Sequence, residues 1–437
     1  MADAASRLTA LAQDLLGVPL PVRIRAWDGS EAGPPGAPVL VVRHRRALRR
    51  LLWKPGELGL ARAWVAGELD AEGDLYALLG RIAALLWERG GGERPAGKRT
   101  VRDPRLRAAV RELVRLGGPW PPPAPPAEEI RGRTGRTHTR HRDRQAVSHH
   151  YDVGNDFYAL VLGPSMVYSC ACFTEGATLE QAQRAKLDLV CRKLALKEGD
   201  RLLDVGCGWG SMALHAAREY GATVVGVTLS AEQAAYARER IAEEGPAGRV
   251  EIRVQDYRDV RDGPYDAISS IGMAEHVGTE RYQEYADALY ALLRPGGRLL
   301  NHQIARRPER DESAYRLDPF IDAYVFPDGE LAPLGRTTSA LERAGFEVRD
   351  TEALREHYAL TLRHWVAHLE AHWPEAVRLT SPGRARVWRL YMAASALAFE
   401  RHQIGVNQIL AVRTGPDGRS GLPLRPRVWN ERGADGG

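Results

Sequence analysis

Cysteine is scarce in this chain: Cys170, Cys172, Cys191 and Cys207 are the four among 437 residues. Four cysteines cannot frame a chain of this length with disulfides. Cys170 and Cys172 also lack a second pair to complete a tetrahedral zinc site, so neither a disulfide scaffold nor a metal site is expected. Long apolar runs are missing too, and no stretch approaches the roughly 20 apolar residues needed to cross a bilayer. The opening stretch, Met1 to Gly17, spaces Leu8, Leu11, Leu15 and Leu16 among polar residues. It reads as a short amphipathic helix, because a signal peptide needs a basic head and an unbroken apolar run. A cytoplasmic protein is expected.

An apolar content of 44% with 27% charged residues suits a globular protein, and the length allows two domains of ordinary size. The net charge of +5 is carried by arginines: between Val101 and His150 there are 11 against five acidic residues. That balance suits an anionic surface, either nucleic acid or membrane headgroups. It equally suits a high-GC genome that writes Arg in place of Lys, so charge alone does not choose a partner.

Three regions separate along the chain. Residues 1–115 form a small α+β domain, with a strand at Pro38 to Val42, a basic stretch from Arg43 to Trp53 and helical spacing towards Leu79. Residues 116–142 are a linker. The prolines from Pro119 to Pro126 cannot continue a helix or a central strand, and the Arg- and His-rich segment to His141 is expected to be exposed. Residues 143–425 alternate strand and helix. Strands are expected at Arg201–Val205, Ala222–Thr228, Val250–Gln255, Tyr265–Ser270 and Gly297–Ile304. Helices are expected at Ser211–Tyr220, Ser230 to Glu244 and Arg281–Leu293. Such alternation gives an α/β fold with a mostly parallel sheet and helices on both faces. Ligands bind such sheets outside the carboxyl ends of the strands, where Val205–Gly210, Thr228, Gln255–Tyr257, Gly272–Gly278 and His302–Ile304 converge.

The turn Asp204-x-Gly206-x-Gly208-x-Gly210 differs from the dinucleotide fingerprint, because its third glycine comes one place early. The second strand ends at Thr228, a hydroxyl rather than the acidic residue that reads a ribose, which argues against NAD. Gln255, Asp256 and Tyr257 supply a carboxylate and a ring at the third strand tip, suited to an adenine amine and an adenine face. Together these features resemble the S-adenosylmethionine pocket of class I methyltransferases, a Rossmann-like fold.

From Ser148 onward the chain resembles the cyclopropane-fatty-acyl-phospholipid synthases and their mycolic-acid relatives. The resemblance is carried by His150 to Tyr158 (HYDVGNDFY), Tyr168 to Ala171 (YSCA), Leu203 to Gly210, Gly226 to Ser230 with Gln233, and Gly272 to Gly278 (GMAEHVG). His302 with Ile304 and Tyr324 to Gly329 (YVFPDG) match as well. It implies that the sheet domain binds S-adenosylmethionine through Tyr151, Tyr168, Ser169, Asp204, Gly206, Gly208, Gly210, Thr228, Gln233, Gln255, Asp256 and Tyr257. It further implies a bicarbonate ion held by Cys170, Glu275, His302, Ile304 (through its backbone) and Tyr391, and an acyl-chain channel beside it. Residues 1–115 look like the small lipid-engaging domain of the longer synthases.

The implied reaction is methyl transfer to the cis double bond of an unsaturated phospholipid acyl chain. Attack of the alkene on the sulfonium methyl leaves a carbocation, and bicarbonate takes one proton. Loss of that proton from the transferred methyl closes a cyclopropane. Loss elsewhere leaves a 10-methylene branch on an oleoyl-type chain, which needs a separate reductase to become a saturated branch, since this chain has no nicotinamide motif. Cys172, Asn301, Ala305 and Ser211 depart from the family pattern, and the two products stay open. A covalent role for Cys170 with a histidine is the alternative chemistry. His276, His149 and His150 are read as structural.

A nucleic-acid methyltransferase would need a proline-bearing acidic or asparagine tetrad where Ser269 to Glu275 stands, and no aromatic platform interleaves the basic run. No nucleic-acid partner is expected. A silent lipid-binding protein is disfavoured by retention of all five bicarbonate positions. The enzyme is expected at the inner face of the cell membrane, on anionic phospholipids gripped by Arg45, Arg49 and Arg50, with the small domain a candidate homodimer contact.

Overall fold

The computed structural model describes residues 3–90, 104–118, 121–131, 139, 140, 142, 153–246 and 248–424. They fall into two units. The first takes Met1–Arg133, Asp318–Val325 and Trp373–Leu397; the second takes Thr134–Leu317, Phe326–His372 and Ala398–Gly437. Two late segments that the sequence reading placed with the methyltransferase domain thus belong to the first unit.

In the first unit, strands β1 (Arg23–Arg25), β2 (Glu31–Ala32), β3 (Val39–Val42) and β4 (Leu69–Glu72) form one sheet in the order β2-β1-β3-β4. The opening helix, Ala4–Leu16, is capped by the Asp3 side chain accepting from the Ser6 amide, and it buries Leu8 and Leu11. Helices Arg46–Trp53 and Glu57–Val65 follow β3. Arginines act here as clamps, because a guanidinium offers five donors and a flat face. Arg50 is buried at 8% exposure, bonds Glu68 at 2.7 Å and donates to the Ala124 carbonyl at 2.8 Å. Arg386 donates to the Trp64 carbonyl at 2.6 Å and lies 4.8 Å from the centre of that indole.

Two expectations change. Arg50 is committed to Glu68, and half-buried Arg49 donates to the Gly117 carbonyl at 2.6 Å, so of the three expected headgroup contacts only Arg45 is exposed. The proline-rich run also packs within the first unit: Pro126 is buried, Ala124 accepts from Arg50, and the Ile130 amide donates to the Ala323 carbonyl. Most of the Arg- and His-rich segment lies outside the described residues. Of it, Arg140 pairs with Asp259 and Arg142 with Asp328.

The second unit is built on seven strands: β5 (Arg201–Val205), β6 (Thr223–Thr228), β7 (Val250–Val254), β8 (Tyr265–Ile271), β9 (Leu293–Arg306), β10 (Glu347–Ala353) and β11 (Ile404–Val412). Their order is β10-β11-β9-β8-β5-β6-β7. The run from β9 to β7 is parallel, β11 pairs antiparallel with β9, and β10 pairs antiparallel with β11. Successive residues of β5 serve opposite faces, as the two-residue period requires. Leu203 and Val205 pack with Tyr285, Leu289 and Leu341, while Leu202 packs with Val190, Leu194 and Ala213. Five strands stand where the apolar runs put them. The β10–β11 pair was not foreseen, and β9 is longer than expected, reaching Arg306. No described helix is long and apolar enough to cross a membrane.

Removing one partner from a buried ion pair strands the other charge. Arg50→Ala should therefore lower stability by about 3 kcal/mol or more. Arg43→Ala removes an exposed guanidinium whose buried partner Asp70 keeps Arg386 and Arg389, and should change stability by less than about 1 kcal/mol. Urea unfolding of the full chain checks the contrast.

Candidate active site

Strand β5 ends at Val205, and the chain turns through Gly206, Gly208 and Gly210, whose φ angles are +75°, +53° and +80°. Only glycine takes that succession without strain. The amides of Gly206 and Cys207 both donate to the Val227 carbonyl, at 2.9 and 3.0 Å, which hooks the turn onto the tip of β6. A side chain at Gly206 would also press on the Met273 sulfur, 3.3 Å from where its Cβ would sit.

The strand tips enclose a cleft of about 1170 Å³, counting the open space at its mouth, ample for a nucleoside-sized ligand. Tyr168, Ser169, Asp204, Gly206, Gly208, Thr228, Gln233, Gln255, Asp256 and Tyr257 line it. Gly210 does not. Its amide closes the turn on the Cys207 carbonyl, and the helix Ser211–Tyr220 starts from it. Tyr151, with His149 and His150, lies outside the described residues.

Asp204 is buried, and its Oδ1 accepts from the Ser269 hydroxyl at 2.7 Å. Burial pushes its carboxyl up to about 6, and Oδ2 has no hydrogen-bond partner among the described residues. Asp256 differs. Burial would raise it, but the Arg258 guanidinium, at 2.6 and 2.9 Å, and the Arg258 amide outweigh that and hold it below the usual carboxylate range. The carboxylate expected at the third strand tip is therefore ionised and clamped. Thr228 donates to the Gln233 side chain at 2.9 Å, and Ser230 caps the next helix.

Beyond Ile271 the chain leaves β8 while β9 runs on. The last rung between them pairs Ile271 with His302, and the Gly272 amide donates to the His302 carbonyl. Glu275, in the short turn Ala274–His276, then takes the next free amide: its Oε1 accepts from the Ile304 N–H at 2.8 Å. Glu275 Oε2 has no partner among the described residues, and burial pushes this carboxyl up to about 7. His302 is buried, and neither ring nitrogen has a partner among the described residues. Burial, with the charges of Lys186 and Lys193, holds its pKa well below the usual value, so the ring is neutral. Buried polar atoms are nearly always satisfied. Three open ones stand here, on a carboxyl and a neutral imidazole.

Cys170 is buried, and its sulfur lies 3.2 Å from the Ala171 carbonyl and 3.6 Å from that of Leu354. Burial drives its pKa well above that of a free thiol, which disfavours the covalent reading, because the thiolate is the nucleophile. Its proton is directed at carbonyls rather than at an open site. Tyr391 belongs to the first unit, buried on the helix Pro382–Glu400 with its ring edge-on to Trp388 at 5.9 Å. His276 lines the cleft and packs on Phe326.

Sequence reasoning missed Lys186 and Arg258, which also line the cleft. Lys186 had a readable signal: Ala182, Gln183, Lys186, Val190 and Lys193 share the buried stripe of the helix Leu179–Leu194, and a lysine on such a stripe is uncommon.

The sequence pattern of the family described as mycolic acid cyclopropane synthetase matches residues 138–409. The chain belongs to that family. It is an S-adenosylmethionine-dependent methyltransferase with the class I, Rossmann-like fold. A probable fatty acid methyltransferase of Mycobacterium tuberculosis is 45% identical over 417 residues, covering 93% of this chain and 94% of the relative. The cyclopropane-fatty-acyl-phospholipid synthase of Escherichia coli is 40% identical over 264 residues, covering 60% of this chain and 66% of the synthase. Among solved structures, mycolic acid cyclopropane synthase CmaA1 complexed with SAH and CTAB aligns with a TM-score of 0.58 at 34% identity, covering 61% of this chain and 97% of that one.

Glu275 gives a signed pH prediction. Below about pH 4.5 the carboxyl is neutral in both folded and unfolded chains. As pH rises, the unfolded chain ionises first and binds fewer protons, so the folded state loses stability until the folded carboxyl ionises near 7. Relative to Glu275→Gln, the wild type should match at pH 4.5 and fall behind by on the order of 3 kcal/mol at pH 8. Denaturant titrations at the two pH values check this.

Proposed function

We propose that this methyltransferase acts on the cis double bond of an unsaturated phospholipid acyl chain and closes a cyclopropane by bicarbonate-assisted deprotonation. The observation that carries the reading is the pair Glu275, just past the end of β8, and His302, at the last rung between β8 and β9, each with buried polar atoms that have no partner among the described residues. When bound, S-adenosylmethionine supplies a sulfonium methyl electrophilic enough for an isolated alkene, and bicarbonate supplies the base. The Ile304 amide fixes one Glu275 oxygen, which leaves Oε2 to accept a hydroxyl proton and raise the basicity of its bearer. A neutral His302 offers one donor and one acceptor without adding charge beside a developing carbocation. Burial of Cys170, Glu275 and His302 keeps water, the competing nucleophile, away from the cation.

Three of the family departures bear little on that pocket. Asn301 and Ala305 alternate with His302 and Ile304 along β9 and so face the other side of the sheet. There Asn301 accepts from Tyr285 at 2.8 Å and donates to Gln303 at 2.7 Å. Ser211 donates to the Ser165 carbonyl. Their substitution has packing reasons, which supports ring closure. The 10-methylene reading rests on the likeness of Leu300 to Arg307 and of Leu390 to Ser395 to the actinobacterial members associated with 10-methylene chains, and on Cys172, whose thiol, pushed up to about 11 by burial, lies within the field of Lys186.

The first unit would hold the bilayer. Trp53 and Leu60 stand 44% and 41% exposed, with Arg45, Arg46 and Lys54 exposed in the same stretch, the mixture of apolar and basic groups that anionic interfaces attract.

Two experiments test these readings. With oleoyl phospholipid vesicles and methyl-labelled S-adenosylmethionine, NMR of the product should show ring protons upfield of ordinary methylenes. An exocyclic methylene would establish the branch instead, and unlabelled lipid would defeat both. Arg45→Gln/Arg46→Gln/Lys54→Gln should weaken binding to anionic vesicles at low salt by about a hundredfold, at about 1 kcal/mol per charge. Unchanged sedimentation with vesicles would remove the first unit from the membrane contact.

A further inference from the structure

The buried face of the helix Leu179–Leu194 carries a charge that the reaction described above does not use. Lys186 is 1% exposed and lines the cofactor cleft. Its ammonium has a single hydrogen-bond partner among the described residues, the Ser169 hydroxyl at 2.8 Å, which is neutral. A buried ammonium with spare N–H donors and no carboxylate in contact is costly unless a ligand completes it. Burial lowers its pKa to about 8, which leaves it mostly protonated at neutral pH.

Asp204 lines the same cleft and has the complementary deficit. Its Oδ2 is unpartnered among the described residues, and it makes no ion pair with Lys186, although each lies within the other's field. Two opposite charges that face one cavity without touching match a zwitterion. S-adenosylmethionine carries one at its amino-acid end. The sulfonium repels an ammonium, and the α-carboxylate is the molecule's one anionic group. The adenine end has other groups, at the tips of β6 and β7, where Thr228 and the Tyr257 ring line the cleft.

We propose that Lys186, steadied by Ser169, is the residue that binds the methionine carboxylate of S-adenosylmethionine, with Asp204 facing the α-ammonium. This rests on the chain's membership of an S-adenosylmethionine-dependent family. The other source of an oxyanion for Lys186 is bicarbonate, since its charge also reaches His302. Lys186 lines the cleft, whereas Glu275 and His302 do not, and this favours the carboxylate.

Isothermal titration decides, with S-adenosylhomocysteine and with 5′-methylthioadenosine, which keeps the adenosine and thioether but has no amino-acid head. Both are titrated into wild type and Lys186→Met, with and without added bicarbonate. Losing a charge-assisted hydrogen bond should weaken S-adenosylhomocysteine by about ten- to a hundredfold, while methylthioadenosine stays within about twofold, with or without bicarbonate. Equal weakening of both ligands would make Lys186 a support of the cleft and overturn the proposal. Unchanged affinity for both would overturn it too, as would a loss confined to the bicarbonate arm. If the Met variant does not fold, Lys186→Gln keeps an N–H for Ser169 without the charge and carries the same comparison. A wild type that binds neither ligand would instead defeat the cofactor assignment.

Discussion

A parallel strand buried on both faces leaves little room for polar side chains except near its carboxyl end. Strands β5, β6, β8 and β9 are of this kind: Leu202, Leu203, Val205, Val224, Ile268 and Leu299 are all buried, with helices on either side. Polar groups therefore gather where the strands stop. Asp204, Thr228 and Glu275 stand at or just past the ends of β5, β6 and β8, and His302 stands on β9 at the level where β8 ends. The same exclusion removes their solvent. Burial raises Asp204 and Glu275 and lowers Lys186, so that three groups ordinarily far apart in acidity come to titrate near neutrality, while it drives His302 well below its usual range and keeps the ring neutral. The sheet thus supplies both the position and the proton affinity of the site.

What could be read in the sequence follows from that arrangement. A doubly buried strand announces itself as an aliphatic run, so β5, β6 and β8 were visible, and the glycines after β5 marked the cleft. The edge was less legible. β10 reads Glu347-Val-Arg-Asp-Thr-Glu-Ala, half-buried throughout except at its exposed last residue, a pattern that does not distinguish a strand from a polar loop. Pairings are invisible to a linear reading as well. Asp256 looked like a free adenine acceptor until Arg258, two residues on, proved to grip both its oxygens. Tyr391 sits in a motif that matched the family, yet its segment packs with the first unit.

Arginine content misled for a related reason. A basic stretch suggests a basic surface, but in the first unit much of that charge is internal. Arg50 with Glu68, Arg62 with Glu129 and Arg386 against Trp64 hold together a unit whose four strands are only two to four residues long. Short strands give few ladder hydrogen bonds, and guanidinium groups that reach carboxylates, carbonyls and rings at once supply cross-links in their place. The net charge of +5 is thus a poor measure of what the surface shows to a partner.

The mismatch in length between β8 and β9 has a consequence of another sort. β9 overhangs its neighbour like a cantilever, and the first unclaimed amide on the overhang is the one that holds Glu275. The carboxyl is thereby anchored to backbone rather than to a neighbouring side chain. Mutation can reshape the side chains around it without disturbing that anchor. A carboxyl held this way keeps its place while the side chains around it diverge.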